Sequence, residues 1–317
     1  MSDTRKILLD CDPGHDDAVA IMLALGNPAI DLVGITTVGG NQTIQKITRN
    51  AQSVLVKCGR EDVPVYAGAH RPLVRNVEVA EEIHGESGLD GVELPEPTRP
   101  VAHGHAAQFI VDSVMAAEVN EITLVATGPL TNLALAVRLE PNIVSRVREV
   151  VIMGGGYHEG NWSASAEFNI WVDPEAARIV FEEDWSFTMI GLDLTHQALA
   201  TAEVEAKVRA LDCELGEWFI GLMAFFRKAY KEHQNFDDPP VHDPCTIAYL
   251  IDPTIVQTQK VPLSVETRGE LTTGMTVADF RLPAPADCRH QVGTALDHER
   301  FWSIVVDAIR TLDDSLA

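Results

Sequence analysis

The chain of 317 residues carries 47 Asp and Glu against 24 Lys and Arg, a formal charge of −23. That balance argues against nucleic acid or an anionic membrane as partner and leaves small neutral ligands open. No uninterrupted apolar run approaches ~20 residues, so no spanning helix is expected.

Met1 to Lys6 has no apolar core of a secretory signal, and a cytoplasmic chain is expected. Cys11, Cys58, Cys213, Cys245 and Cys288 are odd in number, widely spaced and without a CxxC pair. This fits a reduced compartment and speaks against zinc. Cys245 follows His242-Asp243-Pro244 but reads as a small buried residue on an apolar helix.

Ile7 to Leu9 read as a buried strand that Pro13-Gly14 break, and Ala18 to Leu25 as a helix apolar all round. Asp10, Asp12, Asp16 and Asp17 therefore crowd a strand-to-helix turn. Asp16 and Asp17 could cap the helix, and Asp10 could bond backbone or orient its neighbours. Asp12 is left unexplained by capping, because another acid only adds repulsion. A bound divalent cation with oxygen ligands is the simplest compensation. The spacing is not that of an EF-hand, since the twelfth position from Asp10 is Ile21.

Asp31 to Val38 is a β-branched strand ending at Gly39-Gly40-Asn41, and Thr43 to Cys58 has helical apolar spacing. Pro64 to Gly68 is a short strand. Residues 69–102 lack periodicity and form a long excursion carrying His84-Gly85-Glu86-Ser87-Gly88. His105 to Ala117 reads as a helix and Glu121 to Ala126 as a strand, followed by the turn Thr127 to Asn132 with Pro129 near a helix start. Glu149 to Met153 is a strand ending in three glycines that could let backbone approach a ligand. No GxGxxG or Walker pattern supports a nucleotide phosphate site.

Tyr157 to Trp171 reads as a polar loop bearing Asn161, Glu167 and Asn169, and Asp173-Pro174-Glu175 opens a helix. Ser186 to Leu192 is a strand, 203–233 two helices, and His242-Asp243-Pro244 starts a helix through Leu250. Val261 to Val277 is hairpin material, and Asp297 to Leu312 a closing helix. The alternation implies an α/β chain with one open, mostly parallel β-sheet flanked by helices and right-handed crossovers. No repeat or linker divides it, so residues 1–317 are expected to form a single domain.

Polar residues follow the strands: Asp12, Asp16 and Asp17, then Asn41, Thr127, the stretch from Met153 to Asn169, and Asp243 at a later helix start. On a parallel sheet those ends share one rim. Hard oxygen donors favour calcium or magnesium over zinc. A wall of Asn, Asp and Glu without clustered Lys or Arg suits a neutral polyhydroxylated compound, because sugar hydroxyls both donate and accept.

The run Asp10-Cys11-Asp12-Pro13-Gly14-His15-Asp16-Asp17-Ala18 resembles the N-terminal signature of the nucleoside hydrolases, the inosine- and uridine-preferring ribohydrolases. The likeness continues through Thr36 to Asn41, His84 to Gly88, Met153 to Gly156, Glu167-Phe168-Asn169 and Val241-His242-Asp243-Pro244, over essentially the whole chain. It implies a Rossmann-like fold with Ca²⁺ at the C-terminal edge of the sheet, held by Asp12, Asp17, the carbonyl of Thr127 and Asp243. It also implies Asp12 as the base acting on water, and Asp16, Asn41 and Asn169 on the ribose 2′- and 3′-hydroxyls. Asn161 and Glu167 would take the 5′-hydroxyl, with Met153 beside the sugar. His242 would face the leaving base as acid, although beside Asp243 it could equally belong to a helix cap. His84, Phe168 and Tyr230 would line the base pocket. The resemblance further implies a homo-oligomer, dimer or tetramer, and a role in purine salvage.

These residue types fit hydrolysis of an N-glycosidic bond through an oxocarbenium-like sugar. Two rivals stand beside that reading. Asp10-Cys11-Asp12 superficially fits a Mg²⁺-dependent phosphohydrolase, which Pro13-Gly14 and the missing cationic clamp oppose. A non-catalytic nucleoside- or sugar-binding protein could use the same residues.

Overall fold

The structure, a computed structural model, describes residues 4–316. Its central strand is β1 (Arg5–Cys11). Ile7 and Leu9 join one hydrophobic cluster and Leu8 the other, each at most 1% exposed. A strand buried on both faces reads as a continuous apolar run, and helices must cover both sides.

From β1 the chain passes through α1 (His15–Gly26), β2 (Ile30–Thr37), α2 (Ile44–Lys57) and β3 (Val65–Ala67). The excursion at 69–102 holds one helical turn, α3 (Glu81–His84), and leads to α4 (Ala106–Ala116). Then come β4 (Ile122–Ala126), α5 (Thr131–Leu139), β5 (Glu149–Met153), α6 (Phe168–Val172), α7 (Pro174–Phe181), β6 (Phe187–Ile190) and α8 (Leu192–Thr195). α9 (Ala202–Arg209), α10 (Glu214–His233) and α11 (Pro244–Ile251) precede β7 (Val256–Lys260), β8 (Leu263–Val265), β9 (Thr276–Ala278), β10 (His290–Leu296) and α12 (His298–Leu316).

The main sheet has eight strands in the order β3-β2-β1-β4-β5-β6-β10-β7. Every neighbouring pair is parallel except β10 with β7. Residues of α1, α2, α10, α11 and α12 pack on one face, those of α4, α5 and α7 on the other. The order reverses between β1 and β4. Such a reversal opens a crevice beyond the carboxyl ends of the strands, and the residues just beyond those two ends are Asp12 and Thr127.

α1 is apolar all round because it lies wholly inside: Ala18 to Ala24 are each at most 1% exposed. Burying Ile21, Met22 and Leu23 stabilises the fold by about 1.5–3 kcal/mol each. That offsets the cost of seating acids at the start of the same helix.

The excursion is held by side chains from the β2–α2 connection and from α2 itself. Gln42 Nε2 donates to the carbonyls of Gly85 and Glu86, and Asn50 Nδ2 to those of Pro13 and Ser87. Asp90 accepts from the amides of Glu86 and Ser87. These bonds bring His84 to the rim of the sheet.

The structure departs from the sequence reading in four places. The polar loop from Tyr157 ends early, because Glu167 caps the short helix α6 that carries Asn169. The strand expected to reach Leu192 stops at Ile190, and Leu192–Thr195 turns into α8. β7 and β10 were not anticipated; β7 is an edge strand whose Gln257 to Lys260 are exposed, so no apolar pattern marks it. The hairpin material forms the antiparallel pair β8–β9. Among the described residues no helix is long and apolar enough to cross a membrane.

Candidate active site

Beyond the carboxyl ends of the strands lies a cleft of about 480 Å³, counting its open mouth. It is lined by Asp16, Asn41, His84, Thr127, Met153, Asn161, Glu167, Phe168, Asn169, Tyr230, His242 and Asp243, with no Lys or Arg. Those residues come from seven separate stretches of sequence, and all were expected to share a site. Asp12 and Asp17 lie beneath them, fully buried. Trp162 also lines the cleft and was not expected there, its signal being one aromatic in a polar loop; Gln234 lines it too, from the loop 231–240 that the family resemblance sets over the base.

Asp12 leaves β1 and is held by the next connection. Its Oδ2 accepts from the Asn41 amide at 2.7 Å, and its carbonyl from Asn41 Nδ2 at 3.1 Å. Its Oδ1 is buried with no hydrogen-bond partner. Asp17, in the first turn of α1, accepts from the Gly14 amide at 3.0 Å and from the Thr127 hydroxyl at 2.8 Å. Asp16, Asp17 and Asp243 each place one carboxylate oxygen within 4.8 Å of the others. Asp10 sits behind this group, accepting from Thr36 at 2.6 Å and Asn132 at 2.8 Å, as an orienting residue would.

Burial and mutual repulsion push these acids up. Burial, then the charge of Asp17, raises Asp12 well above the usual carboxylate range. Burial and Asp17 lift Asp16 to about 7. Burial lifts Asp17 to about 6 against the hydrogen bonds it accepts. Asp243 rises well above the ordinary range through burial and the charges of Asp16 and Asp17.

A hard cation fits this group. The donors are all oxygen, the carboxylates converge, and Asp12 Oδ1 lacks any partner. The converging trio includes Asp16, whereas the expected ligand set named Asp12; Asp17 and Asp243 are common to both. The Thr127 carbonyl, the fourth expected ligand, accepts from Asn169 Nδ2 at 2.9 Å.

Two glycines wedge the Asp12 carboxylate. A Cβ on Gly40 would lie 2.1 Å from Asp12 Oδ2 and 2.8 Å from Pro129, and one on Gly128 2.6 Å from Asp12 Oδ1. Gly40→Ala is therefore expected to cost about 1–3 kcal/mol through overpacking, read as a lower urea midpoint. An unchanged midpoint would show that the carboxylate has room to move.

Above the acids, Glu167 Oε2 accepts from the Gly155 amide at 2.8 Å and Oε1 from the Asn169 amide at 2.9 Å. Burial lifts it to about 7. Asn169 Nδ2 also reaches the Met153 carbonyl at 3.1 Å, and Asn161 Oδ1 accepts from the Phe168 amide at 2.9 Å. The Phe168 ring meets Trp162 edge-on.

The far wall is aromatic. His84 stacks near His15 and Phe226. His242 Nε2 lies 2.7 Å from the Tyr230 hydroxyl, and Nδ1 2.7 Å from Thr195 Oγ1. Burial holds His84 and His242 well below the usual histidine range, so both rings are neutral near pH 7.

A family profile described as inosine-uridine preferring nucleoside hydrolase matches residues 7–303. The chain is 54% identical over 312 residues to an inosine-uridine preferring nucleoside hydrolase of Leishmania major, with 98% of this chain and 99% of that one covered. It is 53% identical over 311 residues to the protein of that name from Crithidia fasciculata, again covering 98% and 99%. A solved structure, the purine-preferring ribonucleoside hydrolase from Gardnerella vaginalis, superposes with a TM-score of 0.91 at 35% identity, over 98% of this chain and 100% of the other.

Proposed function

Because the chain belongs to the inosine-uridine preferring nucleoside hydrolases, enzymes that cleave the N-glycosidic bond of ribonucleosides, we propose that it releases base and ribose from inosine, uridine and related ribosides with Ca²⁺ in the cleft. The observation that carries the cation is the convergence of buried carboxylates with no Lys or Arg beside them. Asp12, Asp17, Asp243 and the Thr127 carbonyl would hold it, with Asp16 beside them. When bound, Ca²⁺ supplies positive charge to the acidic floor and orients the attacking water.

Asp12 takes a proton from that water. Its Oδ1, buried and without a hydrogen-bond partner, is open to accept that proton. Asp16, Asn41 and Asn169 hold the ribose 2′- and 3′-hydroxyls, and Asn161 and Glu167 the 5′-hydroxyl, with Met153 against the sugar. Carboxylate and amide oxygens around the ring oppose the positive charge that builds on the sugar as the bond breaks. His84, Phe168 and Tyr230 enclose the base. His242 serves the leaving base as a neutral imidazole, and its Nε2 meets the Tyr230 hydroxyl. The absence of a cationic clamp from the cleft lining counts against phosphate as the substrate group. One continuous main sheet supports reading the chain as a single domain.

A panel of inosine, uridine, adenosine, guanosine, cytidine and a 2′-deoxy control, scored by free ribose and free base, tests this reading. Release from inosine and uridine with poor turnover of the deoxy control is expected. Binding of inosine without release of hypoxanthine would move the chain to a binding protein.

A further inference from the structure

Two hydrogen bonds fix the His242 ring, and a neutral imidazole brings one donor and one acceptor to them. Two arrangements are possible. In the first, the Tyr230 O–H donates to Nε2, Nδ1–H donates to Thr195, and the Thr195 hydroxyl hydrogen is left over. Thr195 is fully buried, and among the described residues its hydroxyl has no hydrogen-bond partner but His242. A buried donor without an acceptor carries its full desolvation cost. In the second, the Thr195 O–H donates to Nδ1, Nε2–H donates to the Tyr230 oxygen, and the Tyr230 hydrogen faces the cleft that this residue lines. Every hydrogen then has somewhere to go.

We propose that Thr195 is a positioning residue for the hydrolysis: by donating to Nδ1 it holds His242 in the Nε2–H tautomer and so aims the Tyr230 hydroxyl at the leaving base. The inference rests on the reaction proposed above. Which ring nitrogen of a histidine carries the proton is set by the partner of the other. α8 brings Thr195 to the rim directly after β6, with its amide bonded to the Gly191 carbonyl at 3.0 Å. The neighbouring His196 meets the His242 ring edge-on at 5.8 Å, which further limits its rotation.

The chemistry balances. As the bond from sugar to base breaks, the base keeps the bonding pair and takes the Tyr230 proton on its ring nitrogen. The phenolate left behind accepts the Nε2–H hydrogen bond and regains a proton from solvent after the base departs. Thr195 strengthens that bond by drawing electron density from the ring at Nδ1.

The test pairs kinetics with spectroscopy on the Ca²⁺-loaded protein. Thr195→Val is expected to lower kcat on inosine about 10- to 100-fold, with KM and turnover of p-nitrophenyl riboside within about threefold, because nitrophenolate leaves without a proton. Thr195→Ser, which keeps the hydroxyl, is expected to recover kcat to within about threefold of the parent. In nitrogen-15 histidine spectra near neutral pH, the ring whose signals vanish in His242→Ala is expected to carry its proton on Nε2. A proton on Nδ1 would overturn the proposal, as would equal losses on both substrates in Thr195→Val, the mark of a merely structural role. Failure of the parent protein to hydrolyse either substrate would overturn the reaction itself, and the spectrum would still decide the tautomer.

Discussion

Asp12→Asn is expected to lower kcat on inosine by about 10²–10⁴-fold, the usual worth of a general base. The amide is nearly isosteric and keeps an oxygen for the Asn41 N–H, so the connection after β2 stays in place. It cannot take a proton from water. With saturating Ca²⁺, a non-hydrolysable ribose analogue is expected to bind within about threefold of the parent, because uniform binding is untouched. Stability is expected to move the other way. Asp12 is fully buried and repelled by Asp17, so at a pH high enough to ionise it the neutral amide relieves that repulsion in the cation-free protein, and the melting temperature there rises. Near-normal turnover in this variant would remove Asp12 as the base.

The second large effect is the coupling of cation binding to pH. Asp16 and Asp17 are lifted to about 7 and about 6, and Asp12 and Asp243 well above the usual range. Their folded values exceed the unfolded value of about 3.9. The folded, cation-free chain therefore binds more protons than the unfolded chain. The stability that Asp16 and Asp17 contribute is present below about pH 4 and is lost as pH rises through about 6 to 7, and Asp12 and Asp243 act in the same sense. Surface acids such as Asp62, Asp90, Asp252 and Asp279 are shifted down and act in the opposite sense, so the informative quantity is the difference made by the cation. Ca²⁺ binding among these acids is expected to displace the extra protons, so that its stabilisation grows with pH. At saturating Ca²⁺ the melting temperature is expected to rise by about 3–8 °C at about pH 7.5 and by clearly less at about pH 5.5. Scanning calorimetry with and without chelator measures this; an increment that does not depend on pH would contradict it.

The turn from β1 into α1 was legible because an apolar run, Pro13-Gly14 and a second apolar run follow one another without interruption. The acids between them stood out since no capping role accounts for Asp12. The long excursion showed itself by lacking periodicity, yet nothing local revealed that Gln42 and Asn50 would tie His84 to the cleft. β10 was missed because Val292 and Gly293 are its only buried residues, too few to mark a strand. α6 escaped notice because five residues carry no helical period and Glu167 is an unusual cap. The gathering of Asp16 with Asp17 and Asp243 depends on where α11 begins in space. The bond from Thr195 to His242 joins residues 47 apart, and no local pattern encodes it.

The most direct test is ribose release from inosine by the protein stripped of metal with a chelator and then dialysed against Ca²⁺ or left bare. The account predicts that the bare protein is inactive or nearly so and that Ca²⁺ restores turnover. Full activity in the thoroughly stripped protein would contradict the assignment of the buried carboxylates to a cation that the reaction needs.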